Sequence, residues 1–433
     1  MDDRIKIGIM TQCGGIVSVI YDSAVESVSS MNTCMWISAC VPYDKVPHAG
    51  GKIENFYIKG LKNELPVELV TFADSAEMPD VDLREYGIKA DIYLFPRWGL
   101  RKIIFGVANR LRRYNPFSKK IMLSPFQELC IKKNLIERSK KMKKPSVIII
   151  EWTQMIMLSS WIKILFPDVP IIAIEEDVSF LSYERRYLNE NNRFMKLYKK
   201  KQYLTLRKSE LEQLSISDLI IVNNYKDYNL LIENNINKNK LWTWTPYFQS
   251  MIDLDYIGDS KDILFYGAMN RYENYASAIW FIENVLPKVD VSIRLVILGG
   301  NPHASLKKYA GERVVITGFV DDIQPYFQHS LCLVAPLVLG AGVKIKIIES
   351  LSAGLPILTN DIGIEGIPAE NRKTYFHCDS PEDYVKIIHF LLKNADKKMQ
   401  MSMAEKNLVK EIYDCDKSLK EFIKKVKSIS NQK

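Results

Sequence analysis

Ten short runs of β-branched and aliphatic residues recur along this chain, each too apolar to leave one face in water. Strands buried on both faces need helices above and below them, so this pattern sets the fold class before any motif is considered. Four runs come first: VELVTFA (67–73), VIIIE (147–151), PIIAIEE (170–176) and DLIIVNN (218–224). A turn-rich stretch from Thr243 to Asp262 interrupts them. Six more follow: DILFYG (262–267), RLVILGG (294–300), VVITGFV (314–320), LCLVAPL (331–337), LPILTND (355–361) and KTYFHC (373–378). Helical patterns separate most of them, which predicts parallel sheets in an α/β protein with two doubly wound domains joined near 245–261. The length of 433 residues agrees, at roughly 150 residues per domain.

The first thirty residues fit this scheme least well. KIGIM has the pattern of a first strand and Gly14-Gly15 follows it, yet Cys34 to Leu61 makes a better strand, glycine turn and helix. We therefore expect 1–30 to be an extension of uncertain role, dispensable if a chain begun at Met31 folds. The expected domains are 31–250 and 262–400, with a helical segment at 401–433 packing back toward the first. Ser380, followed by Pro381, Glu382 and Asp383, is the expected N-cap of a helix near the C-terminal end.

Composition excludes several classes. Apolar residues make up 47% and charged residues 25%, so there is ample material for cores and global disorder is not expected. The seven cysteines are odd in number and scattered, without a CxxC pair, which argues against a disulfide framework or zinc ribbon and for a reducing cytosol. The opening MDDRIKIGIM does not resemble a signal peptide. The most membrane-like run, Val147 to Phe166, carries Glu151, Gln154 and Lys163 and reads as a strand followed by a buried helix. The net charge of +8 suits anionic partners without choosing among them.

The richest segment is Leu333 to Ile367. A strand ends at Pro336-Leu337, a turn with Gly340 and Gly342 leads into a helix bearing Lys344, Lys346 and Glu349, and Gly354 is placed to end that helix. A strand, glycine turn and helix N-terminus make an anion site, because free N–H groups and the helix dipole face the ligand and glycine allows close approach. Lys344 and Lys346 stand where a pyrophosphate would sit, and Glu349, one turn further, suits the hydroxyls of a ribose. Spacing alone fits an ordinary crossover with solvated lysines equally well.

PLVLGAGVKIKIIESLSAGLPILTNDIGIEG (336–366) resembles the signature of glycosyltransferase family 4, the group 1 glycosyl transferases, in its GAGVK-type subgroup. The resemblance extends through GFVDDIQPYFQHS (318–330) and FYGAMNRYENYASAIWFIENVLP (265–287), covering about 262–395 well and the N-terminal half loosely. It implies a GT-B fold, two Rossmann-like doubly wound domains facing a cleft, with 31–250 the acceptor domain and 262–400 the nucleotide-sugar donor domain. It also implies a retaining transfer with no bound metal and no cofactor beyond the sugar-nucleotide co-substrate. Glu349 matches the second glutamate of the family's paired-glutamate motif. The first would fall at Ala341 and is absent, which leaves sugar binding open. Gly267 matches the glycine after the first strand of this domain, while Asn274 stands where relatives have lysine, so Arg271 and Lys344 are expected to balance the diphosphate. Gly299, and Gly318 with Phe319, match strand ends that hold the base.

In the N-terminal half, Gly50 and Gly51 match the family's glycine turn near the donor, and His48 precedes them as either a ligand-facing or a solvated loop histidine. Glu151, Glu176 and Asp177 follow strands at the sheet's carboxyl end, where ligands of open α/β sheets bind. They are the candidates for orienting the acceptor or taking its proton, or else caps of the following helices. Relatives place a histidine near Glu151 and Thr153, and this chain has none there. The whole reads as a retaining glycosyltransferase in surface polysaccharide or glycolipid synthesis, its acceptor a glycan or lipid-linked. The alternative is a degenerate nucleotide-sugar-binding protein. A dehydrogenase is disfavoured because no G-x-G-x-x-G follows a first strand.

Pro96 to Lys120 interleaves Trp98, Leu100, Ile103, Ile104 and Leu111 with arginine and lysine. Such a basic amphipathic helix suits an anionic membrane surface or, packed inward, a core with a solvated basic face. The expected location is the cytoplasm, peripheral on the inner face of the membrane. No recognised nucleic-acid module accompanies the basic stretch, so nucleic acid is not expected as a partner.

Overall fold

The computed structural model describes residues 9–13, 16–21, 33–141, 144–340 and 342–431. The chain divides into two compact units, 1–244 with 416–433 and 245–415. The expected absent glutamate position, Ala341, and the Gly14-Gly15 pair lie outside the described residues.

Among the described residues the first unit carries nine strands: β1 (Ile9–Cys13), β2 (Ile16–Tyr21), β3 (Cys34–Ile37), β4 (Val67–Ala73), β5 (Lys89–Leu94), β6 (Val147–Glu151), β7 (Ile171–Glu175), β8 (Leu219–Val222) and β9 (Leu241–Thr243). Their order is β1-β2-β5-β4-β3-β6-β7-β8-β9. All pairings from β5 to β9 are parallel. β1 and β2 instead form an antiparallel hairpin that joins the outer edge of β5. Of the expected first strand KIGIM, Ile9 and Met10 are among the described residues and belong to an edge strand, and the parallel series begins at Cys34. β5 and β9 carry no long aliphatic run and escaped the sequence pattern. The core around β3, β6, β7 and β8 is almost wholly aliphatic, as strands covered on both faces require.

The last helix, Cys415–Ser430, lies largely in this unit although the chain has by then traversed the other. Phe422 anchors it: fully buried, its ring meets Trp36, Tyr57 and Trp244 at centroid distances of 6.0, 5.2 and 5.5 Å. Tyr57 also stacks on Trp244 at 3.8 Å and its hydroxyl shares a 2.7 Å hydrogen bond with Ser418. The crossing falls at 415/416. The preceding helix Ala395–Ile412 stays in the second unit, where the expectation for 401–433 had placed it with the first.

The second unit holds β10 (Asp262–Tyr266), β11 (Arg294–Leu298), β12 (Val314–Gly318), β13 (Cys332–Ala335), β14 (Ile357–Thr359) and β15 (Phe376–His377). All are parallel, in the order β12-β11-β10-β13-β14-β15. That is the doubly wound order, with the reversal between β10 and β13. Ser380 caps the helix Pro381–Lys393 in a full capping box with Asp383. Among the described residues no helix is long and apolar enough to cross a membrane.

Candidate functional site

In the second unit, the connections leaving β10 and β13 run to opposite faces of the sheet, and such a reversal leaves a crevice at the strands' carboxyl ends. Three strand ends are drawn together along one side of it. Gly267 N donates to Leu298 O at 3.1 Å and Gly299 N to Gly318 O at 3.1 Å. A side chain at Gly299 would place its Cβ 1.8 Å from Gly267 O, so only glycine permits this approach. At Gly318, φ is +72° and nothing lies within 4 Å of where a Cβ would stand. The next residue, Phe319, is 79% exposed. Gly267, Gly299, Gly318 and Phe319 thus form one continuous backbone edge with an open aromatic face.

The loop from β13 supplies the charge. It enters the helix Ile345–Ala353 with Lys344 at the N-cap, Lys346 in the first turn and no acidic residue there to offset them. Gly340 and Gly342 have φ of +152° and +71°, conformations that favour glycine. Lys344 donates to Gly342 O and lies 3.9 Å from Glu365. Arg271 pairs with Glu273 at 2.6 Å and is more than half exposed. Lys346 differs. Its Nζ donates to Asn274 Oδ1 at 2.9 Å and stands 5.2 Å over the Phe265 ring. Among the described residues no carboxylate comes within ion-pair distance of it. Burial, and then the neighbouring Lys344, lower its pKa to about 7. Asn274, which replaces a lysine of the resemblance, is itself held by Nδ2 donating to Ala268 O at 2.9 Å. It fixes the lysine that remains.

Glu349 lies one turn into the helix and is 4% exposed. One carboxylate oxygen accepts from Gln249 N at 3.3 Å, and Tyr266 bonds the same carboxylate; burial, and then the charge of Glu349 and this bond, push the phenol's pKa up. The helix ends at Gly354 with φ +71°, where a side chain would strike Ser402 Oγ at 2.2 Å. The second unit therefore gathers Gly267, Arg271, Gly299, Gly318, Phe319, Gly342, Lys344, Lys346 and Glu349 around the reversal of its sheet.

The first unit has its own reversal, between β3 and β6. Here His48 is half-buried and has a structural task. It caps the helix Ala49–Lys62, its Nδ1 accepting from Gly51 N at 3.0 Å. A side chain at Gly50 would stand 2.2 Å from Trp152 Cη2, and one at Gly51 would stand 2.7 Å from both Val46 and His48. The glycine pair thus lets Trp152 lie across the start of the helix. Trp152 has φ +74°, a strained value for a bulky residue that costs on the order of 1–3 kcal/mol. Two anchors hold it: its N–H donates to Ile174 O at 3.1 Å and its indole to Glu54 Oε2 at 3.2 Å.

Beneath Trp152 lies a knot of carboxyl groups. Glu54 accepts from Ser38 Oγ at 2.8 Å and Glu151 from the Trp36 indole at 2.8 Å. Glu176 accepts from Asn223 at 3.1 Å, and Glu151 and Glu176 bond each other. All three are buried, and burial raises each pKa, that of Glu54 to about 8. Two carboxyl groups in contact without a cation are stable only when they share a proton. Of the three sequence candidates, Glu151 and Glu176 come together inside the unit and Asp177 stands exposed beside them. Thr153 is buried and donates to Glu175. Sequence reasoning missed Glu54, Trp36 and Trp152. Glu54 carried a readable signal: it falls with Gly51, Ile58 and Leu61 on the apolar stripe of its helix, where an unpaired charge does not belong.

Residues 260–394 match the family Glycosyl transferases group 1. Two Klebsiella pneumoniae proteins, both described as uncharacterized proteins in the cps region, are similar in sequence. The 44.6 kDa protein is 22% identical over 260 residues, covering 56% of this chain and 64% of its own length. The 41.2 kDa protein is 26% identical over 187 residues, covering 39% and 48%. The chain thus spans less than two thirds of either. Among solved structures, Anabaena HepE in complex with UDP-glucose superposes with a TM-score of 0.64 at 10% identity, over 92% of this chain and all of that one. Sucrose-phosphate synthase from Thermosynechococcus elongatus gives 0.64 at 10% identity, over 92% and 99%. WaaG, a glycosyltransferase involved in lipopolysaccharide biosynthesis, gives 0.60 at 10% identity, over 90% and 98%. At such identity the likeness is one of fold: two largely parallel sheets flanked by helices, the α/β architecture of GT-B glycosyltransferases.

Proposed function

We propose that this chain is a glycosyltransferase of family 4, GAGVK-type, that takes its sugar from a nucleoside diphosphate sugar. The observation that carries the reading is the charge imbalance at the sheet reversal of the second unit. Lys346, half-buried, has no carboxylate within ion-pair distance among the described residues, and it stands at the mouth of a helix whose N-cap makes no side-chain hydrogen bond. A diphosphate placed there supplies the missing negative charge. The backbone edge of Gly267, Gly299 and Gly318, with Phe319, takes the base, and Glu349 the ribose. Uridine is the first base to test, because HepE was crystallised with UDP and UDP-glucose.

In this reading the transfer retains anomeric configuration and needs no metal. As the glycosidic bond breaks, negative charge grows on the leaving diphosphate, and the helix terminus, Lys344 and Lys346 stabilise it from fixed positions. The acceptor attacks the same face of the sugar, its proton passing to a donor phosphate oxygen, so no enzyme nucleophile is invoked. Asp177 is the one exposed carboxylate of the three, and in this reading it meets the acceptor. Glu151 and Glu176 act from within, by accepting from Trp36 and Asn223 at the strand ends. The cps-region relatives support surface polysaccharide synthesis, with a glycan or lipid-linked acceptor and work at the inner, anionic membrane surface through Pro96–Lys120.

The test is a thermal-shift screen of UDP-, GDP- and ADP-sugars followed by turnover of whichever stabilises. Stabilisation and transfer support the reading. Stabilisation without hydrolysis or transfer across a broad acceptor panel favours the degenerate binding protein. No stabilisation by any nucleotide refutes the donor site.

A further inference from the structure

The helix Gly99–Tyr114 is built inside out. Leu100, Ile103, Ile104, Val107, Leu111 and Tyr114 follow the i, i+3, i+4 spacing that normally faces a core, yet they are 53–72% exposed. None of the sixteen residues of this helix is buried. What attaches it to the domain is the other face: Phe105 packs edge-on against Phe126 at 5.2 Å, and Arg112 donates to Leu123 O and pairs with Glu128. Trp98, just before the helix, is 86% exposed.

A second segment, absent from the sequence reading, continues this surface. The helix Arg193–Ile216 begins with Phe194 at 82% exposure and Leu197 at 62%. It is tied to the end of the first helix by Tyr198 Oη donating to Tyr114 O at 2.9 Å and Gln202 to Arg113 O at 3.0 Å, with Lys201 over the Phe117 ring at 5.0 Å. Residues 96–120 hold eight basic residues and no acidic one, and 191–209 hold seven and none, against a surplus of eight for the whole chain. The two segments thus combine a basic surplus with large exposed apolar side chains.

We propose that these segments form one bipartite docking face for an anionic phospholipid bilayer, the stripe of Gly99–Tyr114 and the start of Arg193–Ile216 entering the headgroup region side by side. Charge selects the occupant. Arg97, Arg112, Lys120, Lys199 and Lys208 pair with carboxylates of the same unit, yet the two segments keep a basic surplus. A second copy of this chain would set that surplus against itself, whereas an anionic bilayer attracts it while its acyl boundary takes the apolar stripe. The inference rests on the membrane-surface part of the reading above and is independent of the transferase chemistry.

Co-sedimentation of the full chain with vesicles of phosphatidylglycerol and phosphatidylcholine, against phosphatidylcholine alone, tests it. Wild type is expected to partition at least tenfold better to the anionic vesicles and to be released by high salt. Ile104→Asp with Leu111→Asp, and separately Phe194→Asp with Leu197→Asp, are each expected to lower partitioning tenfold or more with unchanged melting temperature. Loss in the first pair with none in the second overturns the bipartite face and leaves a single-helix dock. Equal partitioning of wild type to both vesicles overturns the membrane reading altogether. So does concentration-dependent dimerisation, by light scattering, that either pair abolishes in a protein that ignores vesicles. Nucleotide-sugar stabilisation, measured in parallel without lipid, reports on the donor site separately.

Discussion

Binding of a sugar nucleotide is expected to draw in a proton, and Lys346 is the reason. Its Nζ has a single amide acceptor, an aromatic ring beneath it and cationic neighbours, and its pKa falls to about 7. A diphosphate beside it returns the amine to its ordinary charged state. The sign follows directly. Above about pH 7 the amine is neutral in the free protein and charged in the complex, so binding takes up a proton and weakens as pH rises; below about pH 6 it is charged in both and the coupling fades. At pH 8 uptake should reach about nine tenths of a proton per molecule, and affinity should drop by nearly tenfold per pH unit above that, about 1.4 kcal/mol each. UDP-glucose is the suitable ligand because its diphosphate does not itself titrate near neutrality. Calorimetry at pH 8 in two buffers of different ionisation enthalpy measures the uptake. Lys346→Arg keeps the charge at all these pH values and should bind with no uptake and a flat pH profile. Identical binding enthalpies in both buffers for the wild type would refute the reasoning, as would a pH slope that survives Lys346→Arg.

Three further outcomes are expected. Glu349→Ala should weaken sugar-nucleotide affinity by roughly 10- to 100-fold, the range of a charge-assisted hydrogen bond, with the melting curve still cooperative; unchanged affinity removes Glu349 from the site. Phe422→Ala should cost about 3–5 kcal/mol by opening a cavity between Trp36, Tyr57 and Trp244, read by chemical denaturation; a loss under 1 kcal/mol would mean the last helix is not anchored there. Glu54 has a raised pKa, so the folded state favours its neutral form and loses stability as pH rises from about 4.5 toward about 8. Glu54→Gln should lessen the fall of the melting temperature across that window, Glu151 and Glu176 keeping their share of it, and an unchanged slope would count against a buried acid at that position.

The sequence read the fold through its strands. VELVTFA and VIIIE appear as β4 and β6 residue for residue, because a strand covered on both faces announces itself by local composition alone. β5 escaped because it is more polar and lies toward one edge, where only pairing with β4 and the β1–β2 hairpin makes it a strand. The anion-site motif was legible for a similar reason: strand, glycines, lysines and helix are contiguous, so their spacing fixes their arrangement.

What contiguity could not convey was which charge lacks a partner. Lys344 and Lys346 look alike in the sequence, yet one reaches the carboxylate of Glu365 and the other the amide of Asn274, a residue 72 positions away. In the same way Glu151 and Glu176 read as candidates for solvent-facing chemistry, while the folded chain buries both and joins them to Glu54 from a third element. The amphipathic pattern of residues 99–114 predicted a helix with an apolar stripe but not which way it turns. Local sequence determines conformation and periodicity because those depend on neighbours along the chain. Charge compensation, burial and exposure depend on neighbours in space, and only the tertiary structure decides them.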